Sequence, residues 1–117
     1  MPLLNVSFSA NIAQSWAPQA FLAQAHLITA ETATTDINNC KSTVCCQRDF
    51  LAGDGNPNRA FIILTVELLP GRSDAIKQQL SEQLLATLKS HLSKIGKQFE
   101  VQLSCHIKDL DQNHYYK

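Results

Sequence analysis

Apolar and polar positions along this chain fall into six blocks, and each block has the period of one kind of element. Residues 2–8, Pro-Leu-Leu-Asn-Val-Ser-Phe, read as a first strand and end in the polar break Ser9-Ala10-Asn11. From about residue 15 to 32 the period lengthens, with Phe21, Leu22, Ala25 and Ile28 on one helical face. Ser15 is the expected cap of that helix, and Pro18 falls in its first turn, where a missing N–H is tolerated. After a loop at 34–39, residues 40–50 hold the β-branched and thiol side chains of a second strand. A Gly-, Asn- and Pro-rich turn follows at 53–58. Residues 60–69 are the most apolar run and read as a central strand covered on both faces, stopped by Pro70-Gly71. Ser73 then caps a long helix with the stripe Ile76, Leu80, Leu84, Leu88, Leu92 and Ile95, and Gly96 supplies its stop. Residues 99–107 alternate as a half-buried strand does.

The order β-α-β-β-α-β predicts an α+β fold: tandem β-α-β units forming one four-stranded sheet, with right-handed crossovers and both helices on one face. The opposite face is then apolar and uncovered, with Cys45, Phe61, Ile63 or their neighbours pointing outward. A sheet exposed in that way calls for an oligomer.

Composition narrows the picture by exclusion. A chain of 117 residues is expected to form a single domain, 1–117. Ten basic and ten acidic side chains cancel, so no nucleic acid or acidic membrane is implied as a partner. There is no basic and apolar leader pattern and no run approaching a membrane span, which gives the expectation of a soluble cytoplasmic protein. Cys40, Cys45, Cys46 and Cys105 are expected as buried free thiols. Cys45 and Cys46 are adjacent on a strand and so face opposite sides; with Cys105 and His106 they make a poor metal site, and none is expected.

The chemistry that stands out is at the beginning. Met1 precedes Pro2, and an initiator methionine before so small a residue is usually removed, leaving a secondary amine at the head of a strand. Such an amine titrates near ~8 in peptides, and burial or nearby positive charge lowers that value toward the range of a general base. The plain alternative is a proline that merely opens an edge strand.

Met1-Pro2, Lys41-Ser42, the block Ala60-Phe61-Ile62-Ile63-Leu64-Thr65-Val66, and Gly71-Arg72-Ser73 before a Gln- and Leu-rich helix together resemble the 5-carboxymethyl-2-hydroxymuconate isomerase family of the tautomerase superfamily. The likeness extends to Leu103-Ser104 and Ile107, and the motifs fall in the same order over nearly the whole chain. It implies a tautomerase-like homotrimer with inward-facing sheets and a cofactor-independent isomerase with neither cofactor nor metal. Pro2 would move a proton along a small unsaturated carboxylate substrate such as 5-carboxymethyl-2-hydroxymuconate. Arg72 matches a family arginine, and its planar fork suits a carboxylate near a helix N-terminus; a solvated loop arginine is the alternative. Lys41 stands where the family has arginine and Thr43 where it has a second one. The resemblance thus gives Pro2 and Arg72 as catalytic, with Lys41, Thr43 and Arg72 binding substrate. The tail after Leu110 is shorter than the family's. A trimeric scaffold or binder without turnover is the competing reading.

Remaining candidates carry less. Asp109, Asp111 and His114 read as a solvated tail, His91 as a cation near a helix end, His26 as surface or packing, and Trp16 as a packing anchor. No phosphate loop, nucleophile elbow or nucleotide fingerprint is present.

Overall fold

In the computed structural model, which describes residues 2–111 and 113, every expected element is present. They are β1 (Leu3–Ser9), α1 (Pro18–Thr32), β2 (Lys41–Gln47), β3 (Arg59–Leu68), α2 (Asp74–Ser90) and β4 (Glu100–Asp109). Single 3-10 turns occupy Ala10–Ile12 and Ile37–Asn39. The sheet order is β2-β1-β3-β4. β1 runs parallel to β2, β3 runs parallel to β4, and the two halves meet where β1 and β3 pair antiparallel.

Strand alternation decides which residues enter the core. Leu4, Val6 and Phe8 of β1 and Ala60, Ile62, Leu64, Val66 and Leu68 of β3 face the helices and are buried. Phe21, Leu22 and Ala25 of α1 and Leu80, Leu84 and Leu88 of α2 complete the same cluster, each large apolar side chain contributing about 2 kcal/mol. Trp16 packs edge-on against Phe8 at 5.3 Å, the anchoring role its sequence position suggests.

Local chemistry moves several boundaries. α1 begins at Pro18 behind Ala17, and Ser15 caps nothing; its N–H instead donates to the Ile12 carbonyl in the turn that delivers Trp16 to the core. Pro18 starts the helix because its N–H would be unbonded there in any case. Ser73 caps α2 as expected, its Oγ accepting from the Ile76 N–H at 3.2 Å. α2 ends at Ser90 rather than at Gly96, since the chain turns at His91 and continues as turns through Ile95, with Leu92 and Ile95 still packed on the core.

Two expectations about the sheet are corrected. β3 is covered on one face only, because both helices pack on that side and Ile63 stays 37% exposed. The uncovered face is also less apolar than expected. Register places Asn5 between Thr43 and Thr65, with His106 beyond, and Ser7 between Cys45 and Ile63, with Ser104 beyond. Its apolar part is an island of Phe61 and Ile63, flanked by Phe50 and by Leu51, which is 78% exposed. The thiols are all free, yet only Cys40 is buried; Cys45 and Cys46 are exposed because β2 is an edge strand that α1 barely overlaps. Asp109 is no tail residue, since it ends β4 and binds the Lys77 ammonium at 2.9 Å. His114 lies outside the described residues, as does Met1.

The turn before β3 is held by charge. Arg59 donates from Nε to Asp54 at 2.7 Å and from Nη1 to Glu100 at 2.9 Å, which ties the turn to β4. The Arg59 hydrogen bond, with help from the Asn56 N–H, lowers the Asp54 pKa from 3.8 to about 2. A carboxylate depressed in the folded state stabilises it above its ordinary pKa and loses that contribution as pH falls toward 2. Carbonyl-detected NMR titration of Asp54 is expected to give a midpoint near 2 and, in Arg59→Gln, one raised toward 3.8 but still held below it by the Asn56 N–H.

Candidate active site at the head of β1

Of the residues that carry the family resemblance, Pro2, Lys41 and Arg72 lie toward one end of the sheet. Pro2 is buried there, and its carbonyl accepts from the Lys41 N–H at 3.1 Å as β2 begins beside it. Leu3 pairs with Lys41 on one side and with Glu67 on the other, so β3 leaves the sheet next to Pro2. Cys40, just before β2, is buried there, and burial raises its thiol pKa.

Arg72 reaches the same end by an unexpected route. Gly71 has φ +124°, a backbone conformation open to glycine, and the reversal turns the guanidinium back toward the C-terminus of α1. There Nε and Nη2 both donate to the Ala33 carbonyl, at 3.2 and 3.1 Å, and Nη1 donates to the Leu69 carbonyl at 3.1 Å. Thr34 follows in the left-handed region at φ 54°, and the Thr35 N–H bonds the Ala30 carbonyl at 2.9 Å. That closing turn leaves the Ala33 carbonyl open to Arg72. The guanidinium therefore sits at the negative end of the α1 dipole, whereas the sequence placed it with the amides opening α2. Three of its five N–H groups are spent on the backbone; one on each terminal nitrogen remains for a carboxylate. Arg72→Ala is expected to cost about 2 kcal/mol and to speed amide exchange at Thr34 and Thr35. An unchanged melting temperature would refute the tether.

Thr43 is held from within the sheet, its Oγ accepting from Asn5 Nδ2 at 2.6 Å. The same amide reaches Cys45 Sγ at 3.6 Å. A groove of about 230 Å³ runs over this surface, lined by Leu3, Asn5, Lys41, Thr43 and Glu67 among others. Asn5 and Glu67 were not singled out from the sequence. Two-residue alternation puts them on the outer face, but only the strand register sets them beside Lys41.

Other groups lie elsewhere. His26 Nε2 is 2.9 Å from Ser42 Oγ, joining α1 to β2, and His91 Nε2 is 2.7 Å from Gln24 Oε1 while its ring meets Phe21 edge-on. Burial raises the Cys105 thiol to about 11. Among the described residues no group of His, Cys, Asp and Glu is placed to hold a metal ion, and no helix is long and apolar enough to cross a membrane. A larger concavity, about 640 Å³, lies over Phe61, Ile63 and Leu51, and among the described residues no charged side chain lines it. We take the smaller groove as the candidate site, because it adjoins Pro2 and carries charge.

Two parallel β-α-β units joined through an antiparallel β1–β3 pair, with both helices on one face, define the α+β fold of the tautomerase superfamily. Within it the chain belongs to the 5-carboxymethyl-2-hydroxymuconate isomerase family, whose model matches residues 2–117. It is similar to the crystal structure of a 5-carboxymethyl-2-hydroxymuconate isomerase from Deinococcus radiodurans R1, with TM-score 0.89, 19% identity, and 99% of this chain and 87% of that one covered. A 5-carboxymethyl-2-hydroxymuconate delta-isomerase gives TM-score 0.88 at 16% identity, covering 100% of this chain and 87% of that one. A fused 4-OT wild-type symmetric trimer gives 0.72 at 18%, covering 95% and 87%. At these identities the likenesses establish the fold. No curated protein matches the chain.

Proposed function

We propose that the chain, once it begins at Pro2, is a cofactor-independent isomerase that moves a proton along an unsaturated oxo or hydroxy acid of the 5-carboxymethyl-2-hydroxymuconate kind. Family membership suggests the reaction class, and the burial of Pro2 beside the charged groove is the observation that carries the reading. Removal of Met1 would free a secondary amine in a sheltered position, where desolvation disfavours its charged form and keeps it a base near neutral pH.

The nitrogen takes the proton from the dienol hydroxyl, the electron pair moves along the conjugated system, and the resulting ammonium returns that proton to a distal carbon. Reactant and product have the same composition, so no further reagent is needed. In this reading Lys41 holds a carboxylate, and the two remaining N–H groups of Arg72 serve the developing oxyanion or a carboxylate. Thr43 offers a hydroxyl in the same groove.

The assembly proposed with this chemistry is a homotrimer. Its support is the apolar island of Phe61, Ile63 and Leu51 on the uncovered face, together with a structural neighbour that is itself a symmetric trimer. Sedimentation equilibrium is expected to give three times the chain mass; a monomer would remove this part. The competing reading, a scaffold or binder without turnover, is favoured by one observation, the spending of Arg72 on two backbone carbonyls. Intact mass combined with a ketonisation assay separates the two: protein shown to start at Pro2 and inert toward enol acids would be the scaffold.

A further inference from the structure

Strand register sets Asn5 of β1 beside Thr43 of β2 on the outer face, and both line the groove next to Pro2. Asn5 has a second threonine, Thr65 of β3, on its other side. The amide turns to β2: Nδ2 donates to Thr43 Oγ at 2.6 Å and to Cys45 Sγ at 3.6 Å. Those contacts use both of its N–H groups, so the amide spans two alternate residues of one strand and is held against rotation.

The bond fixes the part that the Thr43 hydroxyl plays. A hydroxyl has one hydrogen to give and two lone pairs to receive with. Asn5 occupies a lone pair, which leaves the hydrogen over, and no group among the described residues accepts it. Thr43 is exposed and its β-branched side chain has few rotamers, so Oγ is held toward Asn5 and the O–H is offered to the groove. A side chain at position 5 that only accepts would reverse this, because it would take the hydrogen for itself.

Building on the isomerase reading, we propose that Asn5 is a positioning residue that keeps Thr43 a donor, and that the Thr43 O–H binds a carboxylate oxygen of the unsaturated acid in the groove. That carboxylate bears the same charge before and after the proton has moved. A hydrogen bond to it is therefore as strong in the ground state as in the transition state, so its loss raises KM and leaves kcat nearly unchanged. For a hydroxyl bonded to a charged group the loss corresponds to about tenfold in affinity.

The test uses protein shown by mass to begin at Pro2, with 2-hydroxymuconate as substrate. Thr43→Val is expected to raise KM about tenfold, with kcat within about twofold. Asn5→Asp is expected to raise KM by at least as much, since its carboxylate takes the Thr43 hydrogen and also repels the substrate. Repulsion alone is read by placing Asn5→Asp in Thr43→Val, where no hydroxyl is left to turn. The rise on Asn5→Asp is expected to be about tenfold smaller in that background. Equal rises in the two backgrounds, or a KM that Thr43→Val does not move, would overturn the inference and leave the isomerase reading standing. A cross-strand pair that served only the sheet would lower the melting temperature and give those equal rises.

Hexanedioate, titrated by calorimetry, gives the same cycle without turnover. Should protein that begins at Pro2 leave 2-hydroxymuconate unreacted, a tenfold coupling in the Kd for hexanedioate would support the role of Asn5 while the isomerase reading fell. Absence of that coupling, or of any binding to the unaltered protein, would overturn the role itself.

Discussion

Replacing Pro2 with alanine, in protein whose first residue is established by mass, is expected to lower kcat for ketonisation of an enol acid by about 10²–10⁴-fold. The argument is positional. Pro2 is buried where β1 begins, pinned through its carbonyl by the Lys41 N–H at 3.1 Å, so its nitrogen is held in one place relative to the groove. Its ring also restricts φ, which removes freedom that the amine of an alanine would regain. A chain that keeps Met1 has an amide at the same nitrogen, with no lone pair available as a base, and is expected to lose turnover to a similar extent. Equal rates for the unaltered protein and for Pro2→Ala would eliminate the proline mechanism. Circular dichroism distinguishes this from misfolding, since the Pro2 side chain is not among those that form the main core cluster.

Phe21→Ala is expected to have the largest effect on stability, about 3–5 kcal/mol. Phe21 is 0% exposed and its ring contacts Trp16 on one side and the His91 imidazole on the other, at centroid distances of 6.3 and 5.8 Å. It therefore joins the start of α1 to the end of α2 as well as filling volume. Cutting it back leaves a cavity among side chains already fixed by Phe8 and Leu88, and relaxation recovers little. Thermal unfolding at fixed protein concentration is expected to shift down by more than about 10 °C. Leu27→Ala, at an α1 position 60% exposed, is the control and should move it little. A small shift for Phe21→Ala would mean that the two helix ends are not coupled through this ring.

These two residues also mark how far the sequence was legible. Phe21 belonged to a period that any helix of this composition shows, and its burial followed from the spacing with Leu22 and Ala25. Ser73 declared the start of α2 by its position before the leucine stripe, and Ser73 Oγ does cap it. Ser15 was the same kind of signal and misled, because a cap needs the chain to enter the helix directly after it, and here the turn that buries Trp16 intervenes. Gly96 misled for a related reason. The chain leaves the helix at His91, so the apolar stripe continues through turns that still face the core.

The candidate site was half visible. Pro2, Lys41, Thr43 and Arg72 stood out through the resemblance, and all four lie at or near one end of the sheet. Glu67 and Asn5 did not stand out, since an acid near the end of an apolar strand and an amide in the middle of another are ordinary exposed residues until a partner strand is placed beside them. The commitment of Arg72 to the Ala33 carbonyl was equally hidden. It joins residues 39 positions apart through a glycine reversal and a helix end, neither of which reveals its neighbour in the linear order.

Taken by itself, the amino-acid order determined the kind and succession of the elements and the side each turns to the core, because periods of two and of about 3.6 are properties of consecutive residues. Only the tertiary structure decided that the exposed face is largely polar, that Lys41 faces Glu67 across Leu3, and that Arg72 binds the end of α1. Those facts depend on strand register and on which loop returns to which helix end, and they are set by packing between segments the chain itself keeps far apart.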